Sequence, residues 1–130
     1  MLEGDWSPKR LVVLEFPDLD AEESLAELVA EAAAAGGRIV ACEADITADE
    51  APARIVGAAV DALGAIDVLV NAAGVIATGT IENTDDAKWD AMMQVNVRAP
   101  FFLVQGLLPA LQAAASEADP ARVINIGSIY

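Results

Sequence analysis

Four short apolar runs, each carrying β-branched side chains, alternate along this chain with longer stretches whose apolar positions recur every three or four residues. The first run, 10–16, is ended by Pro17 and reads as a strand. A helix follows, with Asp20 able to cap it and Glu23 three positions on. Leu25, Leu28, Val29 and Ala32 fall on one face before Gly36-Gly37 stop it. Residues 38–42 form the second run. In the next polar stretch Thr47 and Glu50 have capping-box spacing and Pro52 suits a first helical turn. Ile55, Ala59 and Ala62-Leu63 then supply a buried stripe that ends at Gly64. Residues 66–70 are the third strand. A Gly, Thr and Asn loop leads into a helix from about Thr84 that Pro100 should kink or break, because its ring clashes with the preceding turn. Residues 122–126 close the series.

Strands and helices alternating in this order imply right-handed crossovers and a parallel sheet with helices on both faces, so the fold class is α/β. The sharpest chemical feature is Asn71-Ala72-Ala73-Gly74 directly behind the run 66–70. A buried parallel strand delivers an amide and a glycine to its carboxyl end, where open α/β sheets keep their ligand crevice. Val95-Asn96-Val97 within a helical stretch and Ile124-Asn125-Ile126-Gly127-Ser128 ending the last strand are of the same type.

Composition narrows the chemistry. A chain of 130 residues, 55% hydrophobic, can bury a modest core and is not disordered. Seven basic against twenty-one acidic residues give a formal charge of -14, which repels phosphate backbones and anionic lipids, so nucleic acid and membrane surfaces are not expected partners. No apolar run reaches the roughly 20 residues that cross a bilayer, and the amino terminus lacks a basic flank before an apolar core; a cytoplasmic protein is expected. There is no histidine, which removes Ser-His-Asp and Cys-His catalysis and most zinc sites, and no metal is expected. Cys42, the one cysteine, reads as a small buried thiol packing the strand 38–42.

Taken together, "GGRIVACEADIT", "IDVLVNAAG", "MMQVNVRAPFFLVQ" and "RVINIGS", in that order, resemble the short-chain dehydrogenase/reductase family over residues 21–130. The resemblance implies an incomplete Rossmann-like, doubly wound sheet, with NAD or NADP as cofactor and a small carbonyl or alcohol as substrate. It also implies a homo-oligomer formed through the helix near 84–115. Two parts of the family pattern are absent: no glycine-rich turn precedes Leu11, and no Tyr-x-x-x-Lys pair is present, Tyr130 following Ser128 too closely to be that tyrosine. Residues 2–22 resemble instead a terminal segment of small dimeric ferredoxin-like α+β barrels. The expected organisation is therefore a segment 1–22 of separate origin supplying one strand, joined to a partial NAD(P)-binding domain at 23–130. With the family's central first strand missing, two apolar strands are expected to lack backbone partners.

The resemblance also assigns roles. Ser128 would hydrogen-bond the substrate's carbonyl oxygen, the alternative being a loop serine that ends a strand. Asn96 would hold a water of the proton relay, or be a helix-interior amide bonded to a backbone carbonyl. Asp45 would accept from the adenine amino group with Ile46 beside the ring, or cap the turn before the next helix. Asn71 would tie neighbouring strands while Ala72 and Gly74 let the cofactor approach the backbone. The expected function is that of a fragment of an alcohol/ketone oxidoreductase, inactive as this chain alone. Two other readings remain open: a non-catalytic nucleotide-binding or dimerisation module, and a sugar-nucleotide epimerase or dehydratase relative.

Overall fold

The computed structural model describes residues 11–14, 21–36, 40–42 and 44–127. Three strands, β1 (Leu11–Leu14), β2 (Val68–Asn71) and β3 (Arg122–Asn125), form one parallel sheet in the order β1-β2-β3. Four helices accompany them: α1 (Ala21–Ala34), α2 (Ala51–Leu63), α3 (Asp86–Met93) and α4 (Ala99–Ala114). The α/β class expected from the alternating pattern is what the chain adopts.

Strand β2 is central, and Val68, Leu69 and Asn71 are buried with Val70 partly so, as a parallel strand covered on both sides requires. Leu11 pairs with Val68 and Leu14 with Asn71 on one side. On the other, Val68 pairs with Arg122 and Asn71 with Asn125. The expectation that a missing first strand leaves β2 unpaired is therefore corrected. Residues 11–14 fill the position beside it and satisfy the edge that would otherwise be open.

The same placement explains a second correction. Residues 40–42 are not a strand, and Cys42 is exposed rather than packed inside one. A strand needs a bonded neighbour, and in the doubly wound order 3-2-1-4-5 the third strand bonds to the second. The chain's earlier strand, β1, stands beside β2 instead.

Helix α2 begins where Pro52 fits the first turn and ends at Gly64, whose φ of 79° any side chain would oppose. Thr47 and Glu50 do not make the expected capping box: Glu50 is the N-cap with no side-chain bond, and the Thr47 hydroxyl goes to Asp45. Asp85 caps α3, its carboxylate accepting the Lys88 N–H at 2.9 Å. Between α3 and α4 the helix widens into a π turn at Gln94–Arg98, with the Ala99 N–H reaching back to the Gln94 carbonyl. The disturbance expected at Pro100 thus falls on the preceding turn, where the ring has no N–H to offer the carbonyl of Asn96 four residues back.

Val95, Ala99, Leu103, Leu107 and Leu111 repeat every fourth position and form the buried stripe of this long helix. They join Ile46, Ile55, Ile66 and Leu69 in one core, with α2 packed on α4 and α4 on β2.

Candidate functional site

The carboxyl end of β2 delivers Asn71 to the centre of the sheet, and two side-chain amides organise the edge formed there. Asn71 donates from Nδ2 to Oδ1 of Asn125 at 2.8 Å, tying the ends of β2 and β3 together, while its own carbonyl accepts the Ile126 N–H at 2.9 Å. Asn71 is only 5% exposed, and its Oδ1 is buried without a partner. Such an orphan acceptor costs on the order of 1–3 kcal/mol.

The second amide is Asn96. Its Oδ1 accepts the Val75 N–H at 2.9 Å and its Nδ2 donates to the Val75 carbonyl at 2.8 Å, so the side chain grips one backbone unit of the loop behind β2 with both arms. Gly74 lies against this grip: a Cβ there would sit 3.5 Å from Asn96 Oδ1. The reading of Asn96 as a helix-interior amide bonded to a backbone carbonyl is what occurs, the carbonyl being that of Val75, 21 residues away in the loop. The π turn presents it to that loop.

Ala72 is half-buried and Gly74 exposed, so the rim of the crevice is accessible. Asp45 is exposed and turns back on its own loop, its Oδ1 accepting both the Thr47 hydroxyl at 2.7 Å and the Thr47 N–H at 2.9 Å. These two bonds, the hydroxyl's first, hold its carboxyl below the usual carboxylate range. Ile46, by contrast, points into the core at 9% exposure rather than standing open beside Asp45. Ser128 and Tyr130 lie outside the described residues. Asn71, Gly74 and Asn96 are thus gathered at one edge, with Asp45 on a separate loop. Asn125 and Val75 complete the cluster and are not singled out by sequence; the one available signal is an amide ending a strand in "RVINIGS".

Among the described residues, no group of His, Cys, Asp and Glu could hold a metal ion, and no helix is long and apolar enough to cross a membrane.

Comparison with known proteins decides the family. The model of the short chain dehydrogenase family matches residues 18–130. The chain belongs to the short-chain dehydrogenase/reductase family. A 3-oxoacyl-[acyl-carrier-protein] reductase of rhamnolipid biosynthesis from Pseudomonas aeruginosa is 38% identical over 93 residues, 72% of this chain and 36% of that protein. The hydroxyacyl-CoA dehydrogenase ChsB1 of Mycobacterium tuberculosis is 37% identical over 116 residues, 86% of this chain and 33% of that protein. Among solved structures, an NADH-dependent reductase of alginate metabolism superposes with a TM-score of 0.76 at 33% identity, covering 92% of this chain and 48% of its own. The Pseudomonas aeruginosa RhlG/NADP active-site complex superposes with a TM-score of 0.74 at 33% identity, covering 91% and 44%. The chain therefore spans about a third of these curated relatives and under half of the solved chains.

The family is one of NAD- and NADP-dependent oxidoreductases, and neighbours of this short-chain dehydrogenase/reductase chain are solved with NAD or NADP bound. A dinucleotide needs a turn whose backbone N–H groups meet its pyrophosphate, at the helix following the strand beside β2. Here that strand is β1, and residues 15–20, which follow it in sequence, lie outside the described residues.

Proposed function

We propose that this chain is part of an NAD(P)-dependent short-chain oxidoreductase that interconverts an alcohol and a ketone, and that the chain alone does not turn over. The observation that carries the reading is the double hydrogen bond from Asn96 to Val75, which brings the long helix against the loop behind β2 at the sheet's carboxyl edge. In the complete enzyme Ser128 donates its hydroxyl to the substrate's carbonyl oxygen, Asn96 holds a water of the proton relay, and Ala72 and Gly74 line the crevice. Asn71 acts as the clamp beneath them. Asp45 and Ile46 are assigned to the adenine side, Asp45 through its exposed carboxylate. The cofactor supplies the hydride; the 130 residues hold no Tyr-x-x-x-Lys pair to handle the proton.

We assign residues 1–22 to a segment of separate origin and 23–130 to the partial dinucleotide-binding domain; the family match, 18–130, covers all of the second part and reaches into the end of the first. The complete protein is a cytoplasmic homo-oligomer in this reading. Trp89, Met93, Val97 and Phe101 repeat every fourth position on the outer face of the long helix; Trp89 is 58% and Phe101 61% exposed, an apolar stripe suited to a second copy. Phe102 beside it stacks edge-on with Phe101 and carries Arg98 over its ring at 4.9 Å, while Arg98 also binds Asp49 at 2.7 Å.

The test is enzymatic. The purified 130-residue protein should not oxidise NADH or NADPH with a panel of ketones. A chimera that replaces residues 1–20 with the glycine-turn segment of the Pseudomonas aeruginosa reductase, and appends that protein's downstream half, should. Ser128→Ala in the chimera should lower kcat by roughly a hundredfold or more, the usual scale for one lost donor to a developing oxyanion. Turnover by the unmodified chain, or a folded chimera without turnover, contradicts the proposal.

A further inference from the structure

We infer that Arg98 is a positioning residue for the adenine side of the cofactor site, and that the π turn Gln94–Arg98 is the common anchor from which both cofactor loops are held. The inference rests on the proposed assignment of Asp45 and Ile46 to the adenine side and deepens it, by naming what fixes that loop. Three observations carry it. First, the turn is rooted in the core by Val95, 3% exposed, and side chains two positions apart leave a helix on different sides. Asn96 accordingly reaches the loop behind β2, with bonds of 2.9 and 2.8 Å to Val75, while Arg98 reaches the loop before α2, donating from Nη2 to Asp49 Oδ1 at 2.7 Å. Second, Arg98 is itself held: its guanidinium carbon lies 4.9 Å from the centre of the Phe102 ring, four positions on, and its side chain is only 34% exposed. Third, the loop alternates. Ala44, Ile46 and Ala48 pack on the core while Asp45, Thr47 and Asp49 stand exposed, so Arg98 grips the same outward row that presents Asp45.

An exposed ion pair usually adds little to stability, because two long side chains must be frozen and water screens the charge. Here the guanidinium already rests on the Phe102 ring, so less freedom is lost when it takes the Asp49 carboxylate. Its effect is therefore on where the loop stands rather than on whether the chain folds. Asp49 lies just before α2 begins at Ala51, and just after the turn in which Asp45 binds Thr47 and the Ala48 N–H donates to the Asp45 carbonyl at 3.0 Å. Movement at Asp49 is thus passed directly to the carboxylate assigned to the adenine. In the proposed reading a dinucleotide meets both loops, and one turn that fixes both sets the distance between them before the ligand arrives.

The experiment has two readouts. In the isotope-labelled 130-residue protein, Arg98→Gln and Asp49→Asn should each speed amide hydrogen exchange at Thr47 and Ala48 by roughly threefold, the scale of one exposed ion pair, and the double variant should add nothing further. The Val75 amide, held by Asn96, should keep its rate, because the other half of the anchor is untouched. In the chimera, which restores the glycine turn, Arg98→Gln should raise KM for NADH or NADPH by roughly threefold at unaltered kcat, the signature of lost positioning in the ground state. The inference is overturned by unchanged exchange at Thr47 and Ala48, by effects of the two variants that simply add, by equal speeding at Val75, or by a chimera in which kcat falls and KM holds. A chimera that never turns over counts against the proposed function, and exchange in the 130-residue protein then decides the anchor alone.

Discussion

Asp45 gathers the N–H and the hydroxyl of Thr47 on one carboxylate oxygen, and this small turn is one of the residue-scale devices that shape the site. Both bonds favour the charged form, so the carboxyl titrates below its ordinary value when folded. Its contribution is present above the ordinary pKa and is lost as pH falls through the lowered one. Asp45→Asn should therefore lower the melting temperature slightly at neutral pH, with the gap from the parent chain closing below the usual carboxylate range. A gap that stays constant with pH would refute the assignment. Two other residues show the limits of reading single positions. The strand-tying role of Asn71 is legible because an amide at a strand's end has few other partners; Asn125 carries the same signal at the end of the last strand, but that the two bond each other across 54 residues leaves no local trace. Cys42 misleads for the opposite reason: its apolar neighbours in sequence are real, but residues 40–42 form no strand and the thiol is exposed.

Among elements, the meeting of α2 and α4 is the tightest contact to test. Gly106 lies inside α4 facing Val56 of α2, and a Cβ at Gly106 would come within 2.8 Å of Val56 Cγ2. Gly→Ala in a helix interior normally gains about 1 kcal/mol, yet overpacking a stiff β-branched neighbour costs roughly 1–3 kcal/mol. Gly106→Ala should therefore destabilise the chain by about 1 kcal/mol, or about 3 °C in Tm. Val56→Ala in the same chain should recover part of it, a coupling that a double-mutant cycle would detect. The elements themselves are largely legible, with β1, β2, β3 and α1 to α4 each falling within a run or stripe visible in the sequence. What periodicity cannot tell is which face of the long helix is inside. Val95, Ala99, Leu103 and Leu107 are buried while Trp89, Met93, Val97 and Phe101 are not, and both sets repeat every fourth position. Only the sheet chooses between them. The π turn is foreshadowed by Pro100, but its position at residues 94–98, around the Asn96 that bonds Val75, is not.

At the scale of the whole molecule, apolar surface and net charge oppose each other. Val123, Ile124 and Ile126, on and beside β3, are 42%, 42% and 59% exposed, and the helix stripe adds Trp89 and Phe101. Exposed strand edges and apolar patches promote association, while a formal charge of -14 on 130 residues resists it. Salt screens the repulsion without weakening the apolar term. The sedimentation coefficient at fixed protein concentration should therefore rise as sodium chloride goes from low to physiological concentration. A monomer at every salt concentration would argue against either patch acting as an interface. The functional account depends above all on the long helix reaching across to the crevice loop. Nuclear Overhauser contacts of the Asn96 side-chain amide in the isotope-labelled protein test this directly. Hydrogen bonds of 2.8 and 2.9 Å to Val75 require a strong contact with the Val75 amide proton and slowed exchange of the side-chain amide. A freely exchanging Asn96 amide without contact to Val75 would contradict the account.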